Sequence, residues 1–326
     1  MPNGASRTPS VSQALLSSPL NPALALVFPG QGSQKVGMGR DASEQSVAAR
    51  ELFELADETL ETGLSKVCFD GPEEALTSTD NAQPAILATS LAYLAAAVEA
   101  GSLAERPAFV AGHSLGEYTA LVAAEALSAA DALLLVRERG RLMAGAGETN
   151  PGTLAAILGL DERAAHEICR ESGAEPANYN LPTQTVVGGP PAVVERAMEL
   201  AKARGGKALP VKVSGAFHTS LMAPAAAEFA RAVDQPAVST PRIPVISNVT
   251  GEPLTDADSV RRDLREQIMR PVHWQQTIEY LTGAGITQFV EVGPGRILAG
   301  MLKRGAPAAD IRSIDSMAAM KAASHV

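Results

Sequence analysis

The sequence predicts an α/β fold with a mainly parallel sheet, and three observations carry that expectation. Apolar runs recur at Ala23–Phe28, Ala108–Ala111, Ile243–Ser247 and Gln288–Val292, and helical stretches follow them. Runs of this kind suit strands buried on both faces of a parallel sheet. Gly-rich loops leave two of the strands, Pro29-Gly30-Gln31-Gly32-Ser33-Gln34 and Gly112-His113-Ser114-Leu115-Gly116. Residues 152–213 then change rhythm to β-α-β-β-α-β, the ferredoxin-like order. The expected division is a large subdomain over 22–150 and 214–326 with a small subdomain inserted at 151–213.

Composition agrees and excludes several function classes. A chain of 326 residues, 46% hydrophobic, can build one large domain with a small partner. A net charge of −9 gives no basic field for nucleic acid or an anionic membrane. No apolar run reaches the ~18–20 residues of a membrane span. Cys68 and Cys169 lie far apart without metal-ligand spacing or the setting of a nucleophile. Free buried thiols in a reducing, cytoplasmic compartment are expected. Residues 1–21 are poor in charge, with Arg7 alone, and are expected to be a disordered leader. They lack the basic start and long apolar core of a signal peptide, and one arginine is weak support for a transit peptide. The tail Asp315–Val326 is expected to be a short helix or frayed.

Taken in order, the first strand, Ala23–Phe28, enters a loop that fits a dinucleotide fingerprint poorly. Lys35 stands where the third glycine belongs, and no acidic strand end follows. The better reading is a loop whose backbone approaches a reacting group, with the N–H of Gln31 as an oxyanion donor. Residues 41–62 and 83–100 read as helices, the second capped by Asp80 or Asn81 and ended by Gly101. Ser128 and Asp131 resemble a capping box opening a helix to about Met143. Its apolar stripe holds Leu135, Val136, Leu142, Met143 and also Arg139. A cation there needs an anionic partner, and two readings stand: a structural ion pair, or a guanidinium waiting for a substrate carboxylate. In 152–213 the strands are Gly152–Leu160, Pro176–Asn180, Thr183–Val187 and Lys207–Val213, and the helices Asp161–Ser172 and Pro191–Arg204. Helices are then expected at 220–234, 258–269, 272–283 and 296–303, with a last strand at Ile311–Ile314.

Strand, Gly-x-Ser-x-Gly, helix is the nucleophile-elbow pattern of α/β-hydrolases. It exposes the Ser114 hydroxyl at a helix start and leaves the Leu115 N–H for a developing oxyanion. A serine nucleophile needs a base. Among the five histidines, His113 is adjacent and should point away from the serine, His166 is on the solvent side of a helix and His325 is in the tail. His218 and His273 remain, and the loop Ser214–Ser220 favours His218. No acid between Ser114 and His218 closes a large-domain strand. Either the acid comes later, or a backbone carbonyl orients the histidine in a dyad.

At this point Phe28–Gln34, Gly112–Tyr118, Asn178–Asn180, Ala216-Phe217-His218, Pro271–Trp274 and Glu291–Gly295 together resemble malonyl-CoA:acyl carrier protein transacylases, collinearly over about residues 23–305. The resemblance implies an α/β-hydrolase-like large subdomain with a ferredoxin-like insertion. It implies Ser114 as nucleophile, His218 as base and acid, and the amides of Gln31 and Leu115 as the oxyanion hole. It implies Arg139 as the malonyl carboxylate's partner and Gln267, four residues before Pro271, as the carbonyl that orients the histidine. Phe217 would crowd a 2-methyl group, and Asn180 would line the entrance. Malonyl-CoA is then substrate with no permanently bound cofactor or metal, and the acceptor is acyl carrier protein in fatty acid synthesis. Lys202, Arg204 and Lys207, or Arg296, Lys303 and Arg304, are candidate docking clusters. A monomer is expected. The alternative is a serine esterase or thioesterase, which needs an acid near His218.

Overall fold

The computed structural model describes residues 11–323. Among the described residues ten strands form two sheets: β1 (Leu20–Phe28), β2 (Arg106–Gly112), β3 (Thr153–Leu158), β4 (Glu175–Leu181), β5 (Gln184–Gly189), β6 (Lys207–Val211), β7 (Val245–Ile246), β8 (Pro253–Leu254), β9 (Gln288–Val292) and β10 (Asp310–Ile314). The large sheet runs β10-β9-β1-β2-β7-β8. Its first five strands are parallel, and β8 returns antiparallel to β7.

The apolar runs follow from burial on both faces. Leu24, Leu26 and Phe28 of β1 enter one core, with the helices Thr79–Glu99, Gly116–Ala123 and Ala129–Thr149. Ala25 and Val27 enter the other, with Trp274–Gly283 and Ile297–Gly305. Successive side chains of a strand alternate between faces, so a strand covered twice has no polar position. The helix Thr79–Glu99 is buried around almost its whole circumference, which makes it a core element.

The small sheet has the order β4-β5-β3-β6 and is antiparallel throughout. Helices Glu162–Ser172 and Pro191–Ala203 close one face over Ala155, Ile157 and Val187. From the other face Leu154 and Val186 join the main core. The small sheet is therefore fixed against the large subdomain and walls one side of the space above β2. This is an α/β-hydrolase-like subdomain with a mainly parallel sheet carrying a ferredoxin-like unit.

Three expectations change. The leader is not irregular throughout. Val11–Ser17 is a helix with Leu15 and Leu16 buried, and β1 begins at Leu20. Two adjacent leucines on one short turn find the core, which a low-charge composition conceals; residues 1–10 lie outside the described residues. Ser78, not Asp80 or Asn81, is the N-cap of Thr79–Glu99, and it makes no side-chain cap bond. The helix capped by Ser128 continues to Thr149, past Met143. Two short helices, Leu64–Asp70 and Glu73–Thr77, fill a stretch without a clear pattern. In the tail, Met317–Ala323 is helical.

The elbow leaves no room for side chains at its glycines. A Cβ on Gly116 would lie 2.0 Å from the Phe28 carbonyl oxygen, and one on Gly112 would lie 1.9 Å from the Gly116 carbonyl carbon. Gly116→Ala is therefore expected to cost roughly 2–3 kcal/mol in urea denaturation. Gly145→Ala, in a helix with nothing within 4 Å of the added carbon, is expected to be neutral or stabilising by up to ~1 kcal/mol. Equal effects at the two positions would refute the steric account.

Candidate active site

The loops that build the site leave the carboxyl ends of β1, β2 and β7, the edge where open α/β sheets place their ligands. β2 ends in the elbow. Ser114 sits at φ 52 and His218 at φ 63, left-handed conformations that cost a non-glycine residue of the order of 1–3 kcal/mol and cluster at functional sites. The two meet: Ser114 Oγ is 2.8 Å from His218 Nε2.

His218 is held on both sides. Its backbone N–H donates to Ile268 O at 2.9 Å, and its Nδ1 lies 2.8 Å from Gln267 O. A carbonyl can only accept, so Nδ1 carries the hydrogen and Nε2 is left as the acceptor for Ser114. No carboxylate orients the ring, and the acid a hydrolase triad would need is not at His218 among the described residues. Burial first, and the Arg139 cation second, push the imidazole pKa down to about 3. The ring is therefore neutral near pH 7 and able to take a proton.

Arg139 is 1% exposed. Its NH1 donates to Gln83 Oε1 at 2.8 Å, and its NH2 donates to Gln267 Oε1 at 3.0 Å and Ser114 Oγ at 3.1 Å. The Tyr118 ring lies 5.6 Å from the guanidinium carbon. Among the described residues no carboxylate pairs with it, so the structural ion pair of the first reading is absent. A desolvated cation held only by neutral oxygens is an anion-binding centre.

The remaining positions fall around this core. Gly30 packs against the elbow so closely that a Cβ would lie 2.4 Å from His113 O, which places Gln31 beside Ser114. The amides of Gln31 and Leu115 donate to no other group among the described residues. Phe217 lines the cleft, a space of ≈ 1160 Å³ that also has Asn178 and Lys212 in its walls. Asn180 does not line the entrance. It is buried and accepts from His113 Nε2 at 2.9 Å, an engagement that sequence could not show because the partner is 67 residues away. His113 is thus tied to Asn180 and set edge-on to Trp274. His273 stacks on Tyr179, and His166 bonds the Tyr179 hydroxyl. His325 lies outside the described residues. Of the basic clusters, Arg204 pairs with Glu171 and Arg296 with Asp315. Both cysteines are buried and free, their thiols pushed up to about 12 by burial.

Sequence reasoning missed Asn248, Gln83 and Glu117. Asn248 Oδ1 accepts the Ser114 N–H at 2.6 Å, and its Nδ2 donates to Gly112 O at 2.7 Å, clamping the elbow. Its position just past a buried strand end was the available signal. Gln83, a long polar side chain in a largely apolar helix that is fully buried there, was another.

Residues 25–324 match the model of the acyl transferase domain, and the chain belongs to that family. It is 46% identical over 287 residues to the malonyl CoA-acyl carrier protein transacylase of Bacillus subtilis, covering 86% of this chain and 90% of that protein. FabD from Acinetobacter baumannii superposes with a TM-score of 0.88 at 42% identity, covering 93% of this chain and 97% of that one. A malonyl-transacylase solved in complex with a type II PKS acyl-carrier protein superposes with a TM-score of 0.88 at 37% identity, covering 92% and 98%.

The depressed His218 pKa has a measurable consequence. The ring should stay neutral on acidification through 6.5, where an unfolded histidine takes its proton. Folding stability therefore falls as pH drops from about 6.5 toward 3. Histidine NMR shifts against pH check this. A His218 titration centred near 6.5 in the folded protein would contradict it, and Arg139→Met should move the value upward by removing a cation.

Proposed function

We propose that this chain transfers a malonyl group from malonyl-CoA to the phosphopantetheine thiol of an acyl carrier protein through an ester on Ser114, supplying extender units for fatty acid synthesis. The observation that carries the reading is Arg139, a buried guanidinium that no carboxylate pairs among the described residues, 3.1 Å from the serine oxygen. A nucleophile alone fits any acyl group. A dry cation beside it selects an acyl group with a second, ionised carboxyl.

Ser114 Oγ attacks the thioester carbonyl while His218 Nε2 takes the hydroxyl proton. The Gln31 and Leu115 amides stabilise the tetrahedral oxyanion, and Gln267 O holds the imidazolium through Nδ1. Collapse expels the coenzyme A thiolate, which takes the proton from Nε2. The carrier thiol then attacks the malonyl ester, gives its proton to His218, and the steps reverse. Arg139 turns from Ser114 Oγ to the malonyl carboxylate, which a guanidinium binds bidentately. Phe217 in the cleft wall disfavours a 2-methyl substituent, a discrimination worth ~1–3 kcal/mol. The names of the relatives above support the same substrate and acceptor. Nothing in the transfer calls for a resident cofactor or metal.

We assign 151–213 to the small subdomain, and 22–150 with 214–326 to the catalytic one, extended back to Val11. The chain acts as a monomer in the cytoplasm, consistent with two unpaired thiols. Among the described residues no helix is long and apolar enough to cross a membrane.

Mass spectrometry after incubation with mixed malonyl- and acetyl-CoA tests the proposal. Wild-type protein should gain one malonyl group, and Ser114→Ala none; labelling that survives the substitution would sink it. Arg139→Ala should cut malonyl preference over acetyl by roughly 10²-fold or more. An unchanged preference would remove Arg139 from substrate binding. With a carrier thiol supplied, malonyl should appear on the carrier, and rapid release of free malonate would favour a hydrolase instead.

A further inference from the structure

Outside the cleft lining, on the helix that follows the elbow, lies a carboxyl that the transfer steps do not use. Glu117 is fully buried. Its Oε1 accepts the Asn248 backbone N–H at 2.9 Å. Its Oε2 accepts from Gln267 Nε2, which also donates to Ser114 O at 3.0 Å. Asp263, buried too, is near enough to act on Glu117 electrostatically, and Ser247 Oγ donates to its Oδ1.

These contacts make Glu117 the junction of two clamps. Asn248 holds the elbow from both ends, through the Ser114 N–H and Gly112 O. Gln267 holds the other parts: its backbone oxygen meets His218 Nδ1, and its side-chain oxygen accepts from Arg139 NH2. Neither Asn248 nor Gln267 contacts the other through its side chain among the hydrogen bonds of the site, and Glu117 joins them. An amide side chain could rotate about its terminal torsion. An acceptor on Nε2 fixes which end of Gln267 faces Arg139.

We propose that Glu117 is a positioning residue for malonyl transfer, locking Gln267 and Asn248 so that the serine, the imidazole and the guanidinium share one geometry. It touches neither substrate nor the reacting atoms. Two neighbouring buried carboxyls disfavour each other's ionised form. Burial raises both, Glu117 well above the carboxylate range and Asp263 to about 6. The shift works against a full double charge beside Arg139.

The inference rests on the malonyl-transfer reading, and its test separates the two. Wild type, Glu117→Ala and Glu117→Gln are given equimolar malonyl- and acetyl-CoA, and the ratio of initial loading rates on Ser114 is read by intact-protein mass. The ratio is independent of how much protein is folded, so a merely structural role would not move it. Glu117→Ala should lower the ratio at least tenfold. Glu117→Gln, which keeps one acceptor of the two, should lower it less but measurably, and it decides the matter if the alanine variant does not fold. A wild-type ratio in the glutamine variant, or in both variants, overturns the positioning role. Failure of wild type to load malonyl overturns the transfer reading instead.

Discussion

A guanidinium buried among neutral oxygens is the constraint on which the rest of the site depends. Arg139 loses its hydration when the helix Ala129–Thr149 packs into the core, and burial lowers its pKa by disfavouring the charged form. Gln83, Gln267 and Ser114 provide oxygens that replace water without cancelling the charge. A carboxylate in the same place would bind the cation more tightly and remove its use. The site therefore needs polar side chains rigid enough to keep facing the cation, and those come from two helical segments and the elbow.

Rigidity comes from the sheet. The β1 loop, the elbow after β2 and Asn248 after β7 meet because these three strands are parallel neighbours ending at one edge. The glycines of the elbow allow the β1 and β2 backbones to approach within contact distance, and Asn248 ties that approach to the next strand. Left-handed backbone at Ser114 and His218 survives because each is held by several hydrogen bonds from elsewhere. The small sheet completes the enclosure by turning one face to its own helices and the other to the main core.

Much of this was legible in the chain. Strands buried on both faces betray themselves as unbroken apolar runs, because period-two alternation has no polar half. The elbow was legible because backbone sterics admit few residues there. His218 and Arg139 were legible as anomalies, a histidine in a glycine-containing loop and a cation on an apolar stripe. Asn180 was misplaced, and Glu117 and Asn248 passed unnoticed, because a buried polar side chain shows its role only through partners more than 60 residues away. The helix Val11–Ser17 was hidden for a similar reason: one turn of apolar residues is too short to set a period, and only the core it meets stabilises it.

By itself the sequence determined which local conformations the chain adopts and which side chains carry chemistry. These depend on neighbours within a few positions: strand pattern, turn glycines, caps and the titrating groups. Tertiary structure alone decided the state of those groups. That Arg139 has no counter-ion among the described residues, that His218 leans on a carbonyl rather than a carboxylate, and that its ring is neutral all follow from burial and from contacts across 49 to 128 residues. Desolvation and hydrogen-bond direction are properties of surroundings, and surroundings exist only once the chain is folded.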